Sequence, residues 1–128
     1  MPREISTDAA PPPFSAYAQG VEIEGGARQI TVAGQVGVTP DGALAGDARA
    51  QHRQAWANVA AVLEAGGMTL ADITEIVGIV TGPEGVPLFR EERERALGDH
   101  RAAATLLVAG LASPDWQVEI MVRAARAE

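Results

Sequence analysis

The chain contains no cysteine and no lysine. The first absence excludes disulfides, thiolate metal sites and a cysteine nucleophile together, and it is compatible with a reducing compartment. The second leaves arginine as the only strong cation: ten basic residues, Arg3 to Arg126, stand against 17 acidic ones for a net charge of -7. A surface of that sign repels phosphate backbones, and no stretch interleaves several basic residues with aromatics, so a nucleic-acid partner is not expected. No apolar run approaches the roughly 18 residues a membrane span requires. The first residues also lack the apolar centre of a signal peptide, so the expected location is cytoplasmic. Gly34-Gln35-Val36-Gly37 has neither the spacing nor the lysine of a phosphate-binding loop. His52 and His100 are far apart and match no HxxxH or HExxH spacing. No metal site is expected, and each histidine is assigned a solvated or capping role.

What is present suits one α+β domain. A chain of 128 residues, 47% hydrophobic and 21% charged, is long enough to bury a single core. The domain is expected over residues 1–128, with 1–13 an extended lead-in, because Pro11, Pro12 and Pro13 remove backbone donors. Residues 20–24 and 29–36 partly alternate on either side of Gly25-Gly26, which predicts a β-hairpin. Residues 47–65 carry Ala55, Trp56, Val59, Val62 and Leu63 at helical spacing, with Asp47 a candidate N-cap and Gly66-Gly67 a stop. Residues 73–81 are β-branched and apolar on both faces, as in a central strand. A short charged helix follows, from about Pro87 to Gly98, with Leu88, Phe89, Ala96 and Leu97 as its apolar stripe. Two strands, 105–111 and 117–124, flank the turn-forming set Ala112-Ser113-Pro114-Asp115. The order is β-β-α-β-α-β-β.

One titratable group stands out. In the final strand Val118, Ile120 and Val122 point one way, so Glu119 shares the other face with Met121 and Arg123. A carboxylate buried among apolar neighbours is costly unless it is paired, hydrogen-bonded or used in chemistry. An ion pair to a neighbouring strand or subunit is the plain alternative. Tyr17, the only tyrosine, is by default an interface or core residue.

Phe14-Ser15-Ala16-Tyr17-Ala18-Gln19-Gly20-Val21 resembles the PYxQ lead-in of the RidA/YjgF reactive-intermediate deaminases, and Ala33-Gly34-Gln35-Val36 is similar to their SGQ strand. Gln51-His52-Arg53-Gln54-Ala55-Trp56-Ala57-Asn58-Val59, followed by Leu63-Glu64-Ala65-Gly66-Gly67, resembles the family's first helix and its glycine stop. Gly98-Asp99-His100-Arg101 and Val118-Glu119-Ile120 complete the match, from about Ile5 to Arg126. The resemblance implies a chorismate-mutase-like fold, two helices on one mixed sheet, assembled as a homotrimeric barrel with pockets between subunits. It further implies cofactor-free hydrolysis of imines or enamines. The glutamate matching Glu119 would position water and shuttle a proton. Tyr17 and Gly34 would line the site, with Thr105 and Leu106 beside them.

The chain departs from that pattern at Ala104. Active members carry arginine there, in an HRPAR-like motif whose planar fork holds the substrate carboxylate. Here the stretch reads His100-Arg101-Ala102-Ala103-Ala104-Thr105, and a charge-assisted hydrogen bond of about 1.5 to 3 kcal/mol goes with the arginine. The expected ligand is therefore a small metabolite lacking the usual carboxylate. Arg90 and Arg93 stand where the family commonly has asparagine and tyrosine, which brings two unusual cations towards the pocket rim. The simpler expectation is a solvated helix face on which Glu91, Glu92 and Glu94 neutralise them. Arg101 has a counterpart in ordinary members and does not replace the missing residue. The competing functional class is a non-catalytic metabolite-binding or structural trimer. An endoribonuclease role, attached to some relatives by name, is disfavoured by the acidic charge.

Overall fold

A computed structural model describes residues 2–127. Strands β1 (Arg3–Ile5), β2 (Gly20–Glu22) and β3 (Arg28–Val36) precede helix α1 (Ala48–Ala65). Strand β4 (Ile73–Val80), helix α2 (Gly85–Leu97), β5 (Ala103–Val108) and β6 (Val118–Arg126) complete the order. The strands form a two-stranded sheet, β1-β2, and a four-stranded mixed sheet in the order β3-β6-β4-β5. β4 is parallel to β5 and antiparallel to β6, which places it in the interior of the larger sheet as its apolar sequence predicts.

Two readings at the amino-terminal end need correction. The lead-in contains a strand: Arg3–Ile5 pairs with Gly20–Glu22, and Arg3 Nε lies 2.9 Å from Glu22 Oε1. The predicted hairpin of β2 with β3 does not form. The chain does turn at Gly26, whose φ is 86°. A glycine turn permits reversal without choosing a partner, however, and β3 pairs along its length with the equally long β6, from Arg28–Arg126 to Val36–Glu119. Three residues of β2 offer a much shorter ladder. The three prolines stay outside both sheets, as expected.

Helix α1 begins and ends where its caps place it. The Asp47 carboxylate accepts from the Ala50 N–H at 2.9 Å, and Gly67 takes the left-handed conformation at φ 81°. α1 packs on β3 and β6, and α2 on β4, so both helices cover one face of the sheet. Val59, Leu63, Phe89, Ile76, Ile120 and Val122 fill the layer between them. The register puts Val77, Ile79, Met121, Leu107 and Glu119 on the opposite face, where all remain partly or fully exposed. Among the described residues no helix is long and apolar enough to cross a membrane.

Two polar positions of α1 are more deeply buried than the sequence suggests. His52, assigned a solvated or capping role, is 1% exposed and meets the Phe89 ring edge-on at a centroid distance of 6.0 Å. It continues the stripe of Trp56, Val59 and Leu63 back by one turn, so the helical period carries it inward. Burial lowers its pKa to about 4, with Glu92 opposing and Arg49 assisting. Gln51 is buried beside it and ties the start of α1 to the β5–β6 connection. Its amide donates to the carbonyls of Gly46 and Asp115, and its oxygen accepts from the Gln117 N–H at 2.9 Å. His100 is more conventional: its Nε2 sits 2.7 Å from the Ile73 carbonyl, at the start of β4.

Candidate functional site

The placement of α2 begins with a glycine. Gly78, in the middle of β4, carries no side chain, and a Cβ there would run into the ring of Phe89. Phe89 therefore lies close against the strand. Arg93 follows four residues later and Arg90 three residues before Arg93, so all three share one side of the helix. With Phe14, Ser15, Tyr17, Ala104 and Leu106 they line a cleft of about 190 Å3. The amino-terminal segment reaches it because the Ala18 N–H donates to the Ala102 carbonyl at 2.9 Å, laying the chain beside the start of β5. The Tyr17 hydroxyl accepts from the Phe14 N–H at 3.2 Å.

Arg93 is 3% exposed. Its guanidinium carbon lies 5.9 Å from the ring centroids of both Tyr17 and Phe89, and Nη2 donates to Ser15 Oγ at 3.0 Å. Nε is buried without a partner. Burial pulls its pKa below the usual arginine value, Arg90 and Arg101 pull the same way, and Glu94 and Tyr17 oppose them. Among the described residues neither Arg93 nor Arg90 forms an ion pair with a carboxylate.

The expected solvated face of α2 holds at Glu91, Glu94 and Arg95 and fails at Glu92 and Arg93. Glu92 is buried between α1 and α2, with Arg49 Nη1 at 2.5 Å and Arg53 Nε at 3.1 Å, and Arg49 also meets Glu91 at 2.8 Å. Burial alone would raise the Glu92 pKa, but the hydrogen bonds and charges of Arg53 and Arg49 bring it below the ordinary carboxylate value. One step of about 100° along the helix separates a side chain facing α1 from one facing the sheet edge. That step sends Glu92 to the arginines of α1 and leaves Arg93 for the cleft. Arg101 stays out of the cleft lining, donating to the carbonyls of Gly98 and His100.

The residues singled out from the sequence fall into two groups. Tyr17, Arg90, Ala104 and Leu106 meet in the cleft. Gly34 and Glu119 meet elsewhere, on the face of the sheet that the helices leave open. Glu119 is half-exposed there, and a Cβ at Gly34 would collide with its carboxylate. Among the described residues that carboxylate has no hydrogen bond or ion pair. Thr105 does not line the cleft, because strand alternation turns it to the open face, opposite Ala104 and Leu106. Ser15 and Phe14 are cleft residues that sequence reasoning passed over, and Phe89 was read as core alone. The i, i+3 and i+4 spacing of Arg90, Phe89 and Arg93 was the available signal. No group of three or more His, Asp or Glu side chains that could hold a metal ion occurs among the described residues.

Comparison with known proteins gives a consistent set of similarities. Residues 7–126 match the family described as Endoribonuclease L-PSP. The 2-iminobutanoate/2-iminopropanoate deaminase of Salmonella typhimurium is 35% identical over 103 residues, covering 80% of this chain and 78% of that protein. The crystal structure of YyfB from Yersinia pestis, of the conserved Rid protein family, superposes with a TM-score of 0.85 at 30% identity, covering 98% of both chains. That of Escherichia coli TdcF with bound serine gives a TM-score of 0.72 at 26% identity, covering 98% of this chain and 99% of the other.

Proposed function

The chain belongs to the Endoribonuclease L-PSP family, the RidA/YjgF group, and from that premise we propose that it binds a small metabolite and hydrolyses an imine or enamine at clefts between copies of itself. The observation that carries the catalytic part is the free carboxylate of Glu119, held against a residue without a side chain, Gly34. Such a group has lone pairs available for water, and the missing side chain of Gly34 makes room for it. Water adds to the carbon of the C=N bond while Glu119 takes one of its protons. The same carboxyl returns that proton to nitrogen, and the resulting carbinolamine collapses to a carbonyl compound and ammonia. The reaction requires no cofactor.

Glu119 and the Tyr17 cleft lie on different faces of one chain, and the open sheet face is apolar around Glu119. A homotrimer in which these faces close a barrel would desolvate the carboxylate and bring it towards the cleft of a neighbour. Ala104 distinguishes this protein from relatives that carry the strand arginine, so the substrate is not held as it is in them.

Glu119→Gln keeps the shape and removes the base. Ketone formation from freshly generated 2-aminoacrylate and from carboxylate-free imines should fall by about 10²-fold or more in this variant, with oligomeric state and thermal melting unchanged. Undiminished turnover would rule Glu119 out. A wild-type protein inert towards every imine offered would instead favour a non-catalytic metabolite-binding trimer.

A further inference from the structure

The cleft beside β5 contains two guanidinium groups and no carboxylate. In a chain of net charge -7 this is unusual, because 17 acidic residues are available to neutralise ten arginines. Arg49 and Arg53, on the neighbouring helix, are both neutralised by acids of α2. Arg93 is more deeply buried than either, yet its guanidinium donates only to a serine hydroxyl beside two aromatic rings, and its Nε has no partner. A buried cation with an unfilled donor is costly unless an anion from outside completes it. Arg90, one turn earlier and half-buried, contributes a second positive charge to the same wall.

We propose that Arg93 and Arg90 form an anion-binding site on α2, opposite the strand position that Ala104 leaves empty, and that the ligand they select is a small organic dianion. The site rests on the reading above and deepens it by naming what the cleft holds, and it replaces the expectation of a ligand without a carboxylate, because α2 supplies the cations that position 104 lacks. Arg93, pinned by Ser15 and sandwiched near Tyr17 and Phe89, fixes one negative group. Arg90 is free to follow the second, which makes it the residue that separates dianions from monoanions. The small side chain of Ala104 gives the ligand the room that an arginine there would fill. A cleft of about 190 Å3 admits a molecule the size of a short dicarboxylate or a small phosphorylated acid. Both present the same chemistry to guanidinium groups, at least two negative charges on the oxygens of planar carboxylate or tetrahedral phosphoryl groups.

Isothermal titration of the full chain with propionate, malonate, succinate, inorganic phosphate and succinamide tests the site without any turnover. Malonate or succinate should bind at least about tenfold more tightly than propionate, and succinamide should not bind. A response to phosphate alone would support the site and assign it to phosphorylated ligands. Arg90→Gln should remove the preference for two charges while leaving monoanion binding. Arg93→Gln should weaken all anions by about tenfold or more, and Arg93→Lys should restore part of the loss. If Arg93→Gln fails to fold, the Arg90→Gln comparison still decides. Binding of propionate and succinate with equal affinity, or anion binding untouched by Arg90→Gln, would overturn the proposal. So would a lack of any anion binding together with loss of assembly in the Arg93 variant, since the partner would then be a carboxylate of a second copy. Because binding is read directly, a protein that binds dianions yet leaves imines intact would sink the hydrolytic reading and not this one.

Discussion

Glu92 and Arg93 are adjacent in sequence and meet different fates. The carboxylate is buried in an ion-pair cluster between two helices, while the guanidinium faces a cleft with no carboxylate partner. His52, close to the same cluster, shows how residue-scale burial becomes a pH dependence. Its folded pKa of about 4 lies below its ordinary 6.5, so the unfolded chain binds the proton more readily. The contribution of neutral His52 to stability is therefore complete above pH 6.5 and declines as the pH falls towards 4, by about 2 to 3 kcal/mol. Urea unfolding at pH 7 and pH 4.5 reads this directly. The wild type should lose about 2 kcal/mol more than His52→Leu between the two pH values, and parallel losses would show that the imidazole is not the titrating group.

At the scale of elements, α2 is held between α1 and β4, and only part of its amphipathic pattern reaches full burial. Its fully buried residues are Phe89, Glu92 and Arg93, while Ala96 and Leu97, from the stripe of Leu88, Phe89, Ala96 and Leu97 that hydrophobicity suggests, pack against the core partly buried. Phe89 is common to both, and the missing side chain of Gly78 receives it. Gly78→Ala should cost about 1 to 3 kcal/mol, against a small gain in strand propensity, because the ring must move off the strand. A lowered melting temperature with a reduced response to anions is the expected pair of results. A melting temperature at or above that of wild type would mean that α2 is held by something else. The elements themselves were mostly legible. α1 was foreseen to its caps and β4 to within a residue, since Asp47, Gly67 and a β-branched run are local signals. The pairing of β2 was not, because a turn sequence specifies reversal but not the neighbour.

The whole molecule presents one sheet face under two helices and one face bare. Leu107, 47% exposed, is the clearest apolar residue on the bare face, and Ile79, Val77 and Met121 continue it across the strands. Covering that face with copies of the same chain would remove the apolar surface and enclose Glu119 in one step. Leu107→Glu should convert the proposed trimer into monomers at low micromolar concentration with the circular dichroism spectrum unchanged, since burying a leucine contributes about 1.5 to 3 kcal/mol per copy. Sedimentation velocity distinguishes the states, and a wild type that sediments as a monomer would refute the inter-subunit site. In such an assembly Glu119→Gln should lose activity while Leu107→Glu loses both assembly and activity.

By itself the sequence determined the α+β class, the two helices, the interior position of β4, the family resemblance and the interest of Glu119. These rest on short-range periodicity and on motifs a few residues long, which any chain carrying them expresses locally. Only the tertiary structure decided which cations face the cleft, that His52 and Glu92 are buried, that Thr105 turns away from Ala104, and that Glu119 and Tyr17 belong to opposite faces. Those outcomes depend on which elements pack together and at what rotation. A single step along a helix or strand reverses the environment of a side chain, and composition does not record that step.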